Sequence, residues 1–178
     1  MSDELFLVKP SLKYEQVFCQ LINDYKNSNE KEYYEMYKEA LEDYNEYVRR
    51  LNSNAQGIDL PEGWVPCHTY WLSNNDNEIL GSIRIRESLN NDFLREIAGH
   101  IGYDISPRYR RNGYGKIILK LGLEKAKNIG LNKVLVTCDF DNYPSKKIIE
   151  ANKGVFESEI YNKSKNKKLR RYWIEIDK

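Results

Sequence analysis

The chain has 178 residues, with 28 basic and 27 acidic side chains, two His and three Cys, and 40% of it is hydrophobic. That length suits a single domain or one domain with an elaborated arm, and a net charge of +1 supplies no field for a polyanion, which argues against nucleic acid as the main partner. Apolar runs fall far short of the ~20 residues of a membrane span. Met1-Ser2-Asp3-Glu4 opens acidic, without the basic n-region of a secretory leader. Cys19, Cys67 and Cys138 are odd in number and lack a CxxC pair, with only His68 and His100 available to join them. They read as small core hydrophobes in a reducing cytoplasm, with no metal site.

In chain order, Leu5-Phe6-Leu7-Val8 reads as an edge strand and residues 12–25 as a helix. Residues 30–52 predict the longest amphipathic helix, with a stripe of Tyr33, Tyr37, Tyr44 and Tyr47 that is either packing surface or a wall over a substrate site. A polar loop with Gly57, Pro61 and Gly63 follows. Strands at 69–72 and 79–86, joined by Asn74-Asn75-Asp76-Asn77, predict an antiparallel hairpin, with Arg84 and Arg86 on a polar face. A short helix at 91–97, a strand at 99–105, a helix at 113–129 and a strand at 133–138 come next. A short helix at 144–152 and strands at 154–161 and 169–176 complete the chain, and the lysines of 162–168 read as a solvated hairpin tip. This order is mixed α/β (α+β), not the steady alternation of a doubly wound sheet.

The most informative segment is GHIGYDISPRYRRNGYGK, residues 99–116. A strand ends at Ile105, a loop holds Arg110, Arg111, Asn112, Gly113, Tyr114 and Gly115, and a helix begins at once. Free N–H groups of a first helical turn face an anion, the helix dipole favours its charge, and Arg110, Arg111 and Lys116 add mobile positive charge. The construction suits a diphosphate. A Walker loop is not met, because Ile117 follows Gly115-Lys116, and a dinucleotide fingerprint fails at Ile118. Arg110, Gly113 and Gly115 do satisfy Arg/Gln-x-x-Gly-x-Gly/Ala.

With that loop, Asp141-Asn142-Tyr143-Pro144-Ser145 after the next strand, and Gly154-Val155-Phe156 beyond it, the chain resembles the GNAT (N-acetyltransferase) superfamily over roughly residues 68–176. The run GHIGYDISPRYRRNGYG with TCDFDNYPS is most similar to a little-characterised branch of bacterial members. The resemblance implies a mostly antiparallel sheet of about seven strands, splayed in a V between the fourth and fifth and flanked by helices. It implies acetyl-CoA as acyl donor, with Ile105 backbone on pantetheine, residues 110–116 on pyrophosphate, and Asn142, Ser145 and Lys146 along the pantetheine arm. Residues 1–63 would form an acceptor-side arm and 64–178 the donor-binding core of a single domain.

The expected activity is acetyl transfer to a primary amine of a small molecule, peptide or protein by direct attack in a ternary complex. The alternative is a non-catalytic acyl-CoA-binding or regulatory module. The base positions of the resembling family fall on Ile101 and Gly99, which cannot take a proton, leaving His100, Glu96 and Asp104 as open candidates. The family's acid tyrosine falls on Ile149, which leaves Tyr143 as its nearest substitute. Trp64, equally a packing residue, could wall the acceptor site, and Glu62 or Asp59 could attract an ammonium group. The acidic, tyrosine-rich arm favours a cationic acceptor. The expected state is a monomer or homodimer without nucleic-acid or membrane partners.

Overall fold

The structure, a computed structural model, describes residues 4–176; residues 1–3, which carry most of the leader argument, lie outside the described residues. β1 (Phe6–Val8) leads through a 3₁₀ turn at Leu12–Tyr14 into α1 (Glu15–Asn27). The predicted 30–52 helix is broken into α2 (Lys31–Tyr37), a 3₁₀ turn at Lys38–Leu41, and α3 (Tyr44–Ala55). The break is local chemistry. Asp43 is extended, and its carboxylate accepts the Glu46 N–H at 2.9 Å, which starts a new helix.

β2 (Cys67–Ser73) and β3 (Ile79–Arg86) form the expected hairpin. Its turn is set by Asn74, whose Oδ1 accepts the Glu78 N–H at 3.0 Å. A π-helical turn at Leu94–Ala98 precedes β4 (Ile101–Ile105). Then come α4 (Tyr114–Asn128), β5 (Lys133–Asp139), α5 (Tyr143–Ala151), β6 (Val155–Asn162) and β7 (Lys167–Glu175). The last two strands run further into the 162–168 tip than predicted. There Lys165 pairs with Glu32 of α2, and Lys167 with Asp139 at 2.9 Å, so two of the tip lysines are tied down by carboxylates.

The seven strands lie in one sheet, in the order β1-β2-β3-β4-β5-β7-β6. All pairs are antiparallel except β4–β5, which is parallel and joined at one register position, Ile101↔Val136. Beyond it β4 keeps pairing with β3, as far as Ile105↔Gly81. Among the described residues no β5 residue pairs with β4 beyond Ile101, so the edge of β4 that faces β5 is open over residues 102–104, which is the V-shaped splay. The Ile105 carbonyl at its end is taken by the Arg110 Nε at 2.9 Å. One sheet face is covered by α4 and α5 over an aliphatic core of Leu72, Ile83, Ile85, Ile101 and Ile118. The arm α1–α3 covers the other face with an aromatic core, in which Phe18 stacks on Trp71 at 4.3 Å. Among the described residues no helix is long and apolar enough to cross a membrane, and no group of three or more His, Cys, Asp or Glu side chains could hold a metal ion.

Candidate active site

At the open end of the splay, the loop before α4 is shaped by two left-handed residues, Arg111 (φ 65°) and Gly113 (φ 81°). Gly113 caps α4 with its backbone alone, and a Cβ there would meet nothing within 4 Å, so the positive φ is what requires glycine. Lys116 N–H bonds back to the Gly113 carbonyl at 3.0 Å, and among the described residues the N–H groups of 111–115 have no backbone acceptor. That row of donors at a helix start is an anion cradle. Gly115 serves packing instead, since a Cβ on it would lie 2.4 Å from the Ile148 side chain of α5.

Arg110 is not the mobile cation the motif led us to expect. Its guanidinium forks onto Glu30 at 2.6 and 2.7 Å, and its Nε donates to the Ile105 carbonyl at 2.9 Å. It clamps the loop to the segment between α1 and α2, while Arg111 and Lys116 are exposed beside the cradle. Asn112 folds its amide back onto the Tyr109 and Arg110 carbonyls, and Tyr114 is half-buried in the first turn of α4.

Across the splay, Tyr103 of β4 and Ser145 of α5 share a hydrogen bond of 3.0 Å between their hydroxyls. The sequence reading missed Tyr103. Burial and the nearby Cys138 raise its hydroxyl's pKa above the ordinary value, outweighing the Ser145 hydrogen bond that lowers it. Burial likewise pushes the Cys138 thiol up to about 11. Asn142 caps α5, its Oδ1 accepting the Ser145 N–H at 3.1 Å, which leaves its amide nitrogen for other partners. Lys146 lies 3.8 Å from Glu150. Tyr143 is 56% exposed and sits under the Arg170 guanidinium, so its hydroxyl is not enclosed in the wedge.

At the closed end, Gly99 takes φ 66°, and a Cβ there would strike the Leu135 carbonyl oxygen at 2.5 Å. His100 follows and couples the strands. Its N–H donates to the Leu135 carbonyl at 2.8 Å, and its Nδ1 accepts the Leu135 N–H at 3.0 Å. Burial, then the Arg86 charge, lowers its pKa to about 4. The imidazole is thus neutral with its proton on Nε2, and its lone pair is spent on backbone. This corrects the expectation of a base at His100. Glu96 is exposed on the π-helical turn, and its carbonyl accepts an Arg171 donor at 2.9 Å. Trp64 is 61% exposed and Glu62 exposed, on a loop tied to the next one by Asn91 Nδ2 donating to the Gly63 carbonyl at 2.7 Å.

Asp104, the third candidate base, is buried on the arm face. It accepts the Tyr25 hydroxyl at 2.6 Å, the Tyr37 hydroxyl at 2.5 Å and Arg84 at 3.0 Å. Its carboxylate is thereby the joint between arm and sheet, and much of the tyrosine stripe is packing surface. The polar face expected at Arg84 and Arg86 lies beside this joint instead of in open solvent, and both residues are half-buried.

Comparison with known proteins gives a consistent picture. The model of the acetyltransferase (GNAT) family matches residues 23–154. No curated protein matches the chain. Among solved structures, a microcin self-immunity acetyltransferase, MccE, in complex with acetyl-CoA and AMP superposes with a TM-score of 0.72 at 16% identity, covering 98% of this chain and 94% of that one. An acetyltransferase from Salmonella typhimurium that modifies the N-terminal serine of a 50S ribosomal subunit protein gives 0.66 at 16% identity, covering 99% and 97%. A spermidine N-acetyltransferase from Vibrio cholerae gives 0.56 at 13% identity, covering 97% and 93%.

Proposed function

The chain belongs to the acetyltransferase (GNAT) family, and from that premise we propose that it transfers an acetyl group from acetyl-CoA to a primary amine by direct attack in a ternary complex, in the cytoplasm. The observation that carries the reading is the pairing of an anion cradle at the start of α4 with an unpaired β4 edge beside it. Both fit the donor: diphosphate oxygens accept from the N–H groups of residues 111–115 beside Arg111 and Lys116, and the amides of an extended arm complete the open edge. Bound acetyl-CoA supplies the activated acetyl group as a thioester.

The protein's own part is to orient and to move protons. Asn142 offers its amide nitrogen at the head of α5, and Ser145 holds the Tyr103 hydroxyl toward the splay. Tyr103 is a phenol that keeps its proton at neutral pH, and its position across the splay, held by Ser145, is what suits it to deliver that proton to a departing thiolate. The buried Cys138 thiol stays protonated, which favours direct transfer over an acyl-cysteine relay. With His100 engaged by backbone, the amine loses its proton to water, and positioning carries most of the rate enhancement. Trp64 and Glu62, on the loop at the closed end, are acceptor contacts in this reading, with residues 1–63 as the acceptor-side arm.

Calorimetric titration with acetyl-CoA tests the donor site. Gly113→Asp puts a carboxylate and a strained φ into the cradle, so affinity is expected to fall more than tenfold, while equal affinity in the two proteins overturns the assignment. The engagement of His100 also favours a second reading, a non-catalytic acyl-CoA-binding module. Thiol release with any amine from a broad panel removes it.

A further inference from the structure

Two arginines project from β3 toward the arm face of the sheet, two residues apart, and their surroundings differ. Arg84 has a counterion: its Nη1 lies 3.0 Å from the Asp104 carboxylate and also donates to the Tyr37 hydroxyl. Arg86 has none. Among the described residues its guanidinium makes one hydrogen bond, Nη1 to the Gly99 carbonyl at 3.2 Å, and no carboxylate lies within ion-pair distance. Four of its five N–H donors are left over. The neighbours whose charge acts on it are Cys67 and Arg84, and it in turn disfavours the charged form of His100. Arg84, Arg86 and Asp104 therefore leave one uncompensated positive charge in a half-buried setting. Such a charge is costly unless an anion joins it.

Its place in the fold gives the charge a use. The Arg86 N–H bonds to the His100 carbonyl at 2.8 Å, and its side chain reaches Gly99, so it stands beside the last paired turn of the splay, next to Ile101↔Val136. The anion cradle lies at the other end of β4, so this charge is not part of the diphosphate site. Arg86 is only partly buried, so some of its surface is left to solvent. We propose that Arg86 receives an oxyanion of the acceptor, a carboxylate or a phosphate, so that the amine acetylated here belongs to an acidic compound. This inference rests on the acetyl-transfer reading and reverses the expectation of a cationic acceptor. The acidic residues behind that expectation are largely engaged elsewhere: Glu30 on Arg110, Glu32 on Lys165, Glu35 on Lys38 and Glu39 on Arg50.

The test compares matched acceptors with the full chain and acetyl-CoA. An α-amino acid is paired with its amide, an aminoalkyl phosphate with its amino alcohol, and spermidine serves as the polycation. The acid of at least one pair is expected to exceed its neutral twin at least tenfold in kcat/KM. Which pair shows the gap tells carboxylate from phosphate. Arg86→Gln should erase the preference and Arg86→Lys keep part of it. Equal use of acid and neutral twin, faster use of spermidine, or a preference that survives R86Q overturns the proposal. A binding measurement separates its failure from failure of the transfer reading. With coenzyme A saturating the α4 cradle, inorganic phosphate should bind at least tenfold more weakly to R86Q than to the unsubstituted protein. If no amine is acetylated yet phosphate binding depends on Arg86, the anion site stands and the transfer reading falls. Phosphate affinity unchanged in both R86Q and R86K overturns the anion site.

Discussion

Tyr103 has a hydroxyl placed by two elements at once: β4 sets its backbone, and Ser145 at the head of α5 fixes its hydroxyl at 3.0 Å. If it protonates the leaving thiolate, Tyr103→Phe removes the proton and leaves the ring packing intact. Steady-state kinetics should then show kcat reduced by about 10²-fold with acceptor KM unchanged, in the range of lost general-acid catalysis. An unchanged kcat would mean that water supplies the proton. The residue escaped sequence reading because the familiar tyrosine position falls on Ile149, which is fully buried and packs against Gly154. Nothing in a linear spacing says that a strand residue 42 positions upstream of Ser145 bonds to its hydroxyl. The cradle glycine was legible, because a positive φ at a helix start is a local demand that sequence alone records.

The arm is held to the sheet by a stacked aromatic core and by one buried carboxylate. Asp104, 4% exposed, takes hydrogen bonds from α1 through Tyr25 and from α2 through Tyr37, and pairs with Arg84 of β3. Asp104→Ala would strand Arg84 without a counterion, so a loss of about 3–5 kcal/mol in urea unfolding is expected. The double variant Asp104→Ala with Arg84→Met should recover much of it, because the cost lies in the unpaired charge. A loss below about 1 kcal/mol would show that the aromatic packing docks the arm by itself. The β2–β3 hairpin was legible because its turn chemistry is contiguous in sequence. The fracture of the 30–52 helix hung on one side chain, Asp43, competing for a backbone N–H within an otherwise unbroken apolar stripe.

At the scale of the molecule, His100 joins the two halves of the splayed sheet and makes their union sensitive to pH. Its pKa is about 4 in the folded chain and near 6.5 when unfolded, so the unfolded state binds the proton more readily. Its stabilising contribution is complete above about pH 6.5 and is lost as pH falls toward 4. Glu157, held at about 2 by Arg171 and Trp173, contributes in a lower window, with stability lost as pH falls below the ordinary carboxylate range. His100→Asn keeps an acceptor for the Leu135 N–H without titrating there. Thermal melts should therefore show a shallower fall in Tm between pH 6.5 and 4 for H100N, and an identical slope would remove His100 from the account.

The sequence by itself determined the mixed sheet with its hairpin, the glycine-shaped loop before α4 and hence the family. Each is written in neighbouring residues, where turn, cap and periodicity act through the local backbone. Tertiary structure alone decided that Arg110 clamps an arm, that His100 and Asp104 are joints instead of bases, and that Arg86 stands without a counterion among the described residues. Those roles depend on partners tens of residues away, and a side chain's charge and proton take their chemical meaning from what the fold packs beside them.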